Sequence, residues 1–153
     1  MKIDHLYISP EHNFFGHYGQ PAGTAAVVDL DAVECVAGKG LKGDRFFKLE
    51  PGKKGQVTFF SREVFESMSA SLGIHDKDPS VLRRNIVVSG ADLNSLIGQE
   101  FELQGVRFFG VEECSPCFWM NEAMGSGAEA FLQGQGGLRC RVLSSGELRK
   151  DSQ

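Results

Sequence analysis

The chain has 153 residues, of which 41% are hydrophobic, 24% charged and 10% aromatic, the size and balance of one globular domain spanning 1–153. Sixteen Lys and Arg against 20 Asp and Glu give a formal net charge of −4, which argues against a general nucleic-acid binder, whose surface is broadly basic. No apolar run of about 18 residues is present, and the N-terminus MKIDHLYISP lacks the basic and apolar segments of a secretory leader, so a cytoplasmic protein with no membrane partner is expected.

In chain order, β-rich runs at 2–8, 25–28 and 56–60 predict the first strands. A helix follows over 61–72: Ser61 is a good N-cap, Glu63 falls in the first turn, and Val64, Phe65, Met68 and Leu72 share one face before Gly73. A strand at 85–88 leads to a short helix at 92–97. Strands at 100–103 and 106–111 flank Gln104-Gly105, a two-residue hairpin connection. A weaker helical pattern within 120–132 is interrupted by Gly125-Ser126-Gly127 and closed by Gly134. A last strand is expected at 138–143, and 147–153 reads as a frayed polar tail. Many short strands with two or three helices predict an α+β, strand-rich fold, a barrel of short strands rather than a βαβ alternation.

The sharpest chemical feature is Cys114-Ser115-Pro116-Cys117, placed after a strand and before a helix. A cytosolic chain keeps its thiols reduced, so a disulfide framework is not expected. As a redox pair the segment lacks a downstream proline, since Pro10, Pro21, Pro51 and Pro79 all precede it, and it lacks the βαβ setting. As half of a zinc site it would draw on Cys35, Cys140, His12 or His17, none of which forms a second close pair of thiols. As a ligand or nucleophile for a bound cofactor, one thiolate suffices. Cys35 and Cys140, inside apolar runs, read as small core fillers.

Between Lys39 and Lys54 the chain carries Lys39, Lys42, Arg45, Lys48, Lys53 and Lys54 against Asp44 and Glu50, with Gly38, Gly40 and Gly43 able to present backbone N–H groups. That basic segment on an acidic background suits an anion such as phosphate, although a solvated loop would look the same. Farther on, Arg83, Arg84 and Asn85 lead into a strand. Adjacent side chains of an extended segment face opposite ways, so only one of the two arginines is expected to face a ligand there. A guanidinium suits phosphate or carboxylate, and Asn85 offers both a donor and an acceptor to a heterocycle edge.

These residues resemble a known family. Gly43-Asp44-Arg45-Phe46, Arg83-Arg84-Asn85-Ile86, Gly90-Ala91-Asp92-Leu93, Glu113 to Cys117 and Gly136-Gly137-Leu138-Arg139 occur in the order and spacing of the MOSC domain, named for the C-terminus of molybdenum cofactor sulfurases. The resemblance covers about 37–146, and 12–19 resembles the opening of small stand-alone bacterial members.

The resemblance implies a β-barrel-like fold that holds the molybdenum cofactor (molybdopterin), with Cys117 as metal ligand or persulfide carrier and catalytic residue. Lys42, Gly43, Asp44, Arg45, Arg83, Arg84 and Asn85 are the candidate cofactor contacts, and the role of Cys114 is left open. Phe46 stands where the family often has histidine, which removes a polar contact there. Two chemistries follow from the resemblance, reduction of N-hydroxylated compounds and sulfur transfer. A reductase would need an electron donor protein, since no flavin, haem or iron–sulfur pattern is present, and a sulfur carrier would need a sulfur donor or acceptor protein. The alternative is a non-enzymatic carrier or regulatory module that binds cofactor or anion. Phe14, Phe15 and Trp119 are candidates for an apolar self-association surface.

Overall fold

In this computed structural model residues 1–10, 27–47 and 56–152 are described. The strands are β1 (Lys2–Ile8), β2 (Val28–Leu30), β3 (Ala32–Val36), β4 (Gly40–Leu41), β5 (Val57–Ser61), β6 (Ile86–Ser89), β7 (Glu100–Leu103), β8 (Val106–Glu113), β9 (Leu138–Val142) and β10 (Gly146–Arg149). The helices are α1 (Arg62–Leu72), α2 (Trp119–Ala123) and α3 (Ala128–Phe131), with 3-10 turns at Pro79–Leu82 and Leu93–Leu96. The fold is α+β and strand-rich, as expected.

Seven strands form one sheet in the order β2-β1-β6-β5-β9-β8-β7, and β10-β3-β4 form a second. The two are not closed into a barrel: among the described residues β2 and β7 are edges of the larger sheet. Instead the small sheet covers one face, through Val33, Cys35, Leu41 and Leu148, and the helices cover the other. β5 shows why both layers are needed. Its side chains alternate, so Phe59 enters the inter-sheet core beside Phe101 and Phe108, while Phe60 enters a second core with Phe65, Met68, Leu82, Met120 and Leu132.

Helix α1 forms where its pattern predicts. The Ser61 hydroxyl accepts from the Val64 N–H at 3.2 Å, and Gly73 closes the helix in the left-handed region at φ 67°. The helical pattern over 120–132 is split into α2 and α3 at its internal glycines. Of the strand expected at 25–28, Val28 opens β2, and Ala25 and Ala26 lie outside the described residues, as do 12–19 and Lys48, Glu50, Lys53 and Lys54. The expected frayed tail is corrected. β10 pairs with β3, the Lys150 N–H donates to Asp31, and Asp151 exchanges bonds with Ile3, whose N–H reaches the Asp151 carboxylate at 2.7 Å. Backbone partners rather than side-chain hydrophobicity order this polar segment.

Cys35 and Cys140 are both fully buried in the inter-sheet core, the filler role expected of them. Burial, with a smaller contribution from Glu34, pushes the Cys35 thiol from 9.0 up to about 12, and burial pushes Cys140 up as well. Raised thiol pKa values favour the unfolded chain in alkali, because unfolded thiols ionise first. Between about pH 8 and pH 10 the protein is therefore expected to lose about 3 kcal/mol of unfolding free energy, shared by the two thiols. Urea titrations at the two pH values measure this, and a Cys35→Ala/Cys140→Ala double variant that kept the whole pH dependence would refute the assignment.

Candidate functional site

The site grows from the turn after β4. Gly43, at φ 91°, turns the chain so that Asp44, which is 5% exposed, receives the Ser9 N–H at 2.8 Å and the Phe46 N–H at 3.4 Å. Ser9 in turn accepts the Arg45 N–H through its carbonyl at 2.9 Å. The Asp44 carboxylate thereby ties the end of β1 to the turn and fixes where Arg45 leaves it. The Arg45 guanidinium lies 3.4 Å from Asp44 Oδ1 and 4.4 Å above the Phe46 ring. Phe46 is an apolar and cation–π platform here.

Arg83 caps the 3-10 turn Pro79–Leu82 with left-handed backbone, φ 56°, and its Nη2 hydrogen-bonds the Ser9 hydroxyl. Arg84 runs the other way. Its Nε donates to the Gly136 carbonyl at 3.0 Å and its Nη2 to the Cys114 carbonyl at 3.4 Å. The expectation that only one of these two arginines could serve a common ligand assumed extended backbone. The backbone at Arg83 is left-handed instead, and the two guanidiniums take different partners, Arg83 lying in the field of Arg45 and Arg84 acting on Arg45.

Electrostatics confirm the crowding. Burial lowers the Arg83 pKa to about 10, the like charge of Arg45 adds to the effect, and Asp44 opposes it. Arg45 is lowered by burial, raised by Asp44 and lowered again by Arg84. At Arg45 and Arg83 burial is the largest cause, and with like charge it outweighs the buried Asp44 carboxylate.

The cysteine segment faces this group. Cys114 is 2% exposed, its N–H donates to Gly137 at 2.8 Å, and its thiol contributes to the field at Arg45. Cys117 is half-buried and its sulfur is free of disulfide. The Glu113 carboxylate accepts the Gly136 N–H at 3.2 Å, so it holds the turn, while Glu112 stands opposite Arg139 in the β8–β9 register. A side chain on Gly136 would overlap the Cys114 carbonyl, and one on Gly137 would come within 2.5 Å of the Phe59 carbonyl. Only glycines let this turn lie against both β5 and the Cys114 segment.

Two expected contacts are placed elsewhere. Lys42 is exposed and sits 3.5 Å from Glu34, away from the arginine group. Asn85 is 2% exposed: its Oδ1 accepts from the Thr58 N–H at 3.0 Å and the Thr58 hydroxyl at 3.1 Å, and its Nδ2 donates to the Tyr7 carbonyl at 3.1 Å. That amide joins β1, β5 and β6. Ser9 and the carbonyls of Cys114 and Gly136 were not singled out from the sequence, because main-chain acceptors leave no residue-type signature; the Gly136-Gly137 pair was the available signal. Among the described residues no three His, Cys, Asp or Glu side chains gather to hold a metal ion, and no helix is long and apolar enough to cross a membrane.

The profile of the MOSC domain matches residues 47–153. The chain belongs to the MOSC domain family. The matched part of this MOSC domain contains Arg83, Arg84, Cys114, Cys117 and the Gly136-Gly137 turn, whereas Asp44 and Arg45 precede it. Among solved structures, the YuaD protein from Bacillus subtilis is 20% identical and superposes with a TM-score of 0.75 over 97% of this chain and 91% of that one. YiiM from Escherichia coli is 16% identical, with a TM-score of 0.66 over 99% and 67% of the two chains. YiiM from Geobacillus stearothermophilus is 11% identical, with a TM-score of 0.66 over 97% and 70%. These likenesses concern the fold alone. No curated protein matches the sequence.

Proposed function

We propose that this MOSC domain binds the molybdenum cofactor, with Arg45, Arg83 and Arg84 holding its anionic and polar parts and Cys117 supplying a soft thiolate to the metal. The observation that carries the reading is a group of three partly buried guanidiniums within one another's fields, of which Arg84 reaches the Cys114 carbonyl on the segment that bears the half-buried Cys117 thiol. The donor set fits such a group: forked cations suit phosphate and a pterin edge, and a thiolate suits molybdenum. Bound cofactor would supply two-electron redox chemistry at the metal. Asp44 and Asn85 act as positioning residues, the first setting Arg45 and the second aligning the strand that delivers Arg83 and Arg84. Gly43 supplies the turn that places Asp44, and Lys42 serves as a peripheral positive charge.

In the reductase form of this reading an electron donor protein completes the reaction. In the sulfur-transfer form Cys117 carries a persulfide and exchanges it with a sulfur donor or acceptor protein. Cys117, half-buried, is the more accessible of the two thiols, because Cys114 is enclosed.

The test compares wild type with Cys117→Ser, each purified without oxygen from a host that makes the cofactor. Molybdenum and pterin are expected at close to one per chain in wild type. The variant is expected to lose molybdenum while the arginines retain much of the pterin. Wild type carrying neither would overturn the cofactor reading, and one extra cyanide-labile sulfur on Cys117, found by mass, would put the persulfide in its place.

A further inference from the structure

Beside the Gly136-Gly137 turn lies a cavity of about 130 Å³, walled by Ser61, Val64, Asp92, Leu93, Asn94, Gln135 and Gly137. It has room for about four waters, or for a ligand of several non-hydrogen atoms. Its polar side chains are partly engaged already. The Ser61 hydroxyl donates to Glu63 at 3.0 Å, the Asn94 amide nitrogen donates to the Gly134 carbonyl at 2.7 Å, and the Gln135 amide nitrogen donates to the Phe131 carbonyl at 2.9 Å. Each amide keeps one N–H and its carbonyl oxygen, and the Asp92 carboxylate, which makes no side-chain cap bond, carries the only formal charge among the wall residues.

The N-terminus of α1 borders the cavity and would ordinarily favour an anion. That end is already satisfied. Ser61 accepts the Val64 N–H, and Glu63, in the first turn, accepts the Gly90 N–H at 2.8 Å and brings its own negative charge. Arg84 touches the turn but is no part of the cavity wall, and its Nε and Nη2 are given to the Gly136 and Cys114 carbonyls.

We propose that this cavity is a second ligand site, which takes a small organic cation bearing N–H donors, an amidinium or a comparable ammonium group, with Asp92 as charge partner and Asn94 and Gln135 as acceptors. Val64 and Leu93 supply apolar wall for its carbon part. The site uses neither Cys117 nor the guanidiniums, so it stands or falls separately from the cofactor reading.

Acetamidinium, acetamide and acetate share a shape and differ in charge, which makes them the probes for an NMR titration of the full chain at fixed ionic strength. Acetamidinium is expected to give saturable shifts at the amides of 91–94 and 135–137 in the millimolar range. Acetamide should bind about tenfold more weakly and acetate not at all. Asp92→Asn, at an exposed position, should weaken acetamidinium about tenfold and leave the rest of the spectrum unchanged. Equal binding of the three probes, a preference for acetate, unchanged affinity in a folded Asp92→Asn variant, or no saturable shift at these amides would each overturn the proposal. If the variant does not fold, the ranking of the three probes on wild type decides.

Discussion

Replacing Gly137 by alanine is expected to destabilise the protein by about 4 kcal/mol. The residue sits at φ 114°, and an added Cβ would lie 2.5 Å from the Phe59 carbonyl oxygen. That oxygen belongs to β5, which is paired with β6 on one side and β9 on the other, so the obstruction cannot move aside as the end of a flexible side chain would. Gly134→Ala is the internal control, because Gly134 also has positive φ, 80°, but nothing within 4 Å of an added Cβ. It should cost only about 1 kcal/mol. Urea unfolding of the two variants separates close approach from backbone conformation, and equal losses would show that the turn relaxes. Since Gly137 accepts the Cys114 N–H, the alkylation rate of Cys117 should change in Gly137→Ala and stay as in wild type in Gly134→Ala.

The second large effect is expected at Asn85. Asn85→Leu preserves volume but leaves the Thr58 N–H and the Tyr7 carbonyl without the partners they have now, in a region closed to water. Each orphaned group costs about 1–3 kcal/mol, so a loss of about 3 kcal/mol is expected. Asn85→Asp keeps the acceptor for Thr58 and loses the donor to Tyr7, and it too should destabilise because a carboxylate would be buried without a counter-ion. If Asn85→Leu kept wild-type stability and lost only cofactor binding, Asn85 would be a ligand contact and not the clasp of three strands.

The arginine cluster shows how far the residues alone could lead. Arg83, Arg84 and Arg45 were recognisable as cations suited to an anion, and the Cys114 to Cys117 segment as a source of thiolate. Their sequence separations, from 45 to 117, say nothing about proximity, and the left-handed residue at Arg83 broke the rule of alternating faces on which the reading of this segment rested. Lys42 shows the converse: it lies beside Arg45 in sequence, yet in the structure it pairs with Glu34 on the surface. Proximity in the chain fixed neither its direction nor its partner.

From the sequence alone came the strand-rich class, the N-cap and glycine stop of α1, the Gln104-Gly105 hairpin, the core role of Cys35 and Cys140, and the resemblance to the MOSC domain. All of these rest on local periodicity, turn chemistry or ordered motifs. The tertiary structure alone decided that the larger sheet stays open, that the polar residues after Leu148 are held by β3 and β1, and that Arg84 crosses to the Cys114 loop. Those outcomes depend on long-range backbone partners, and a main-chain N–H or carbonyl is the same in every residue that offers one.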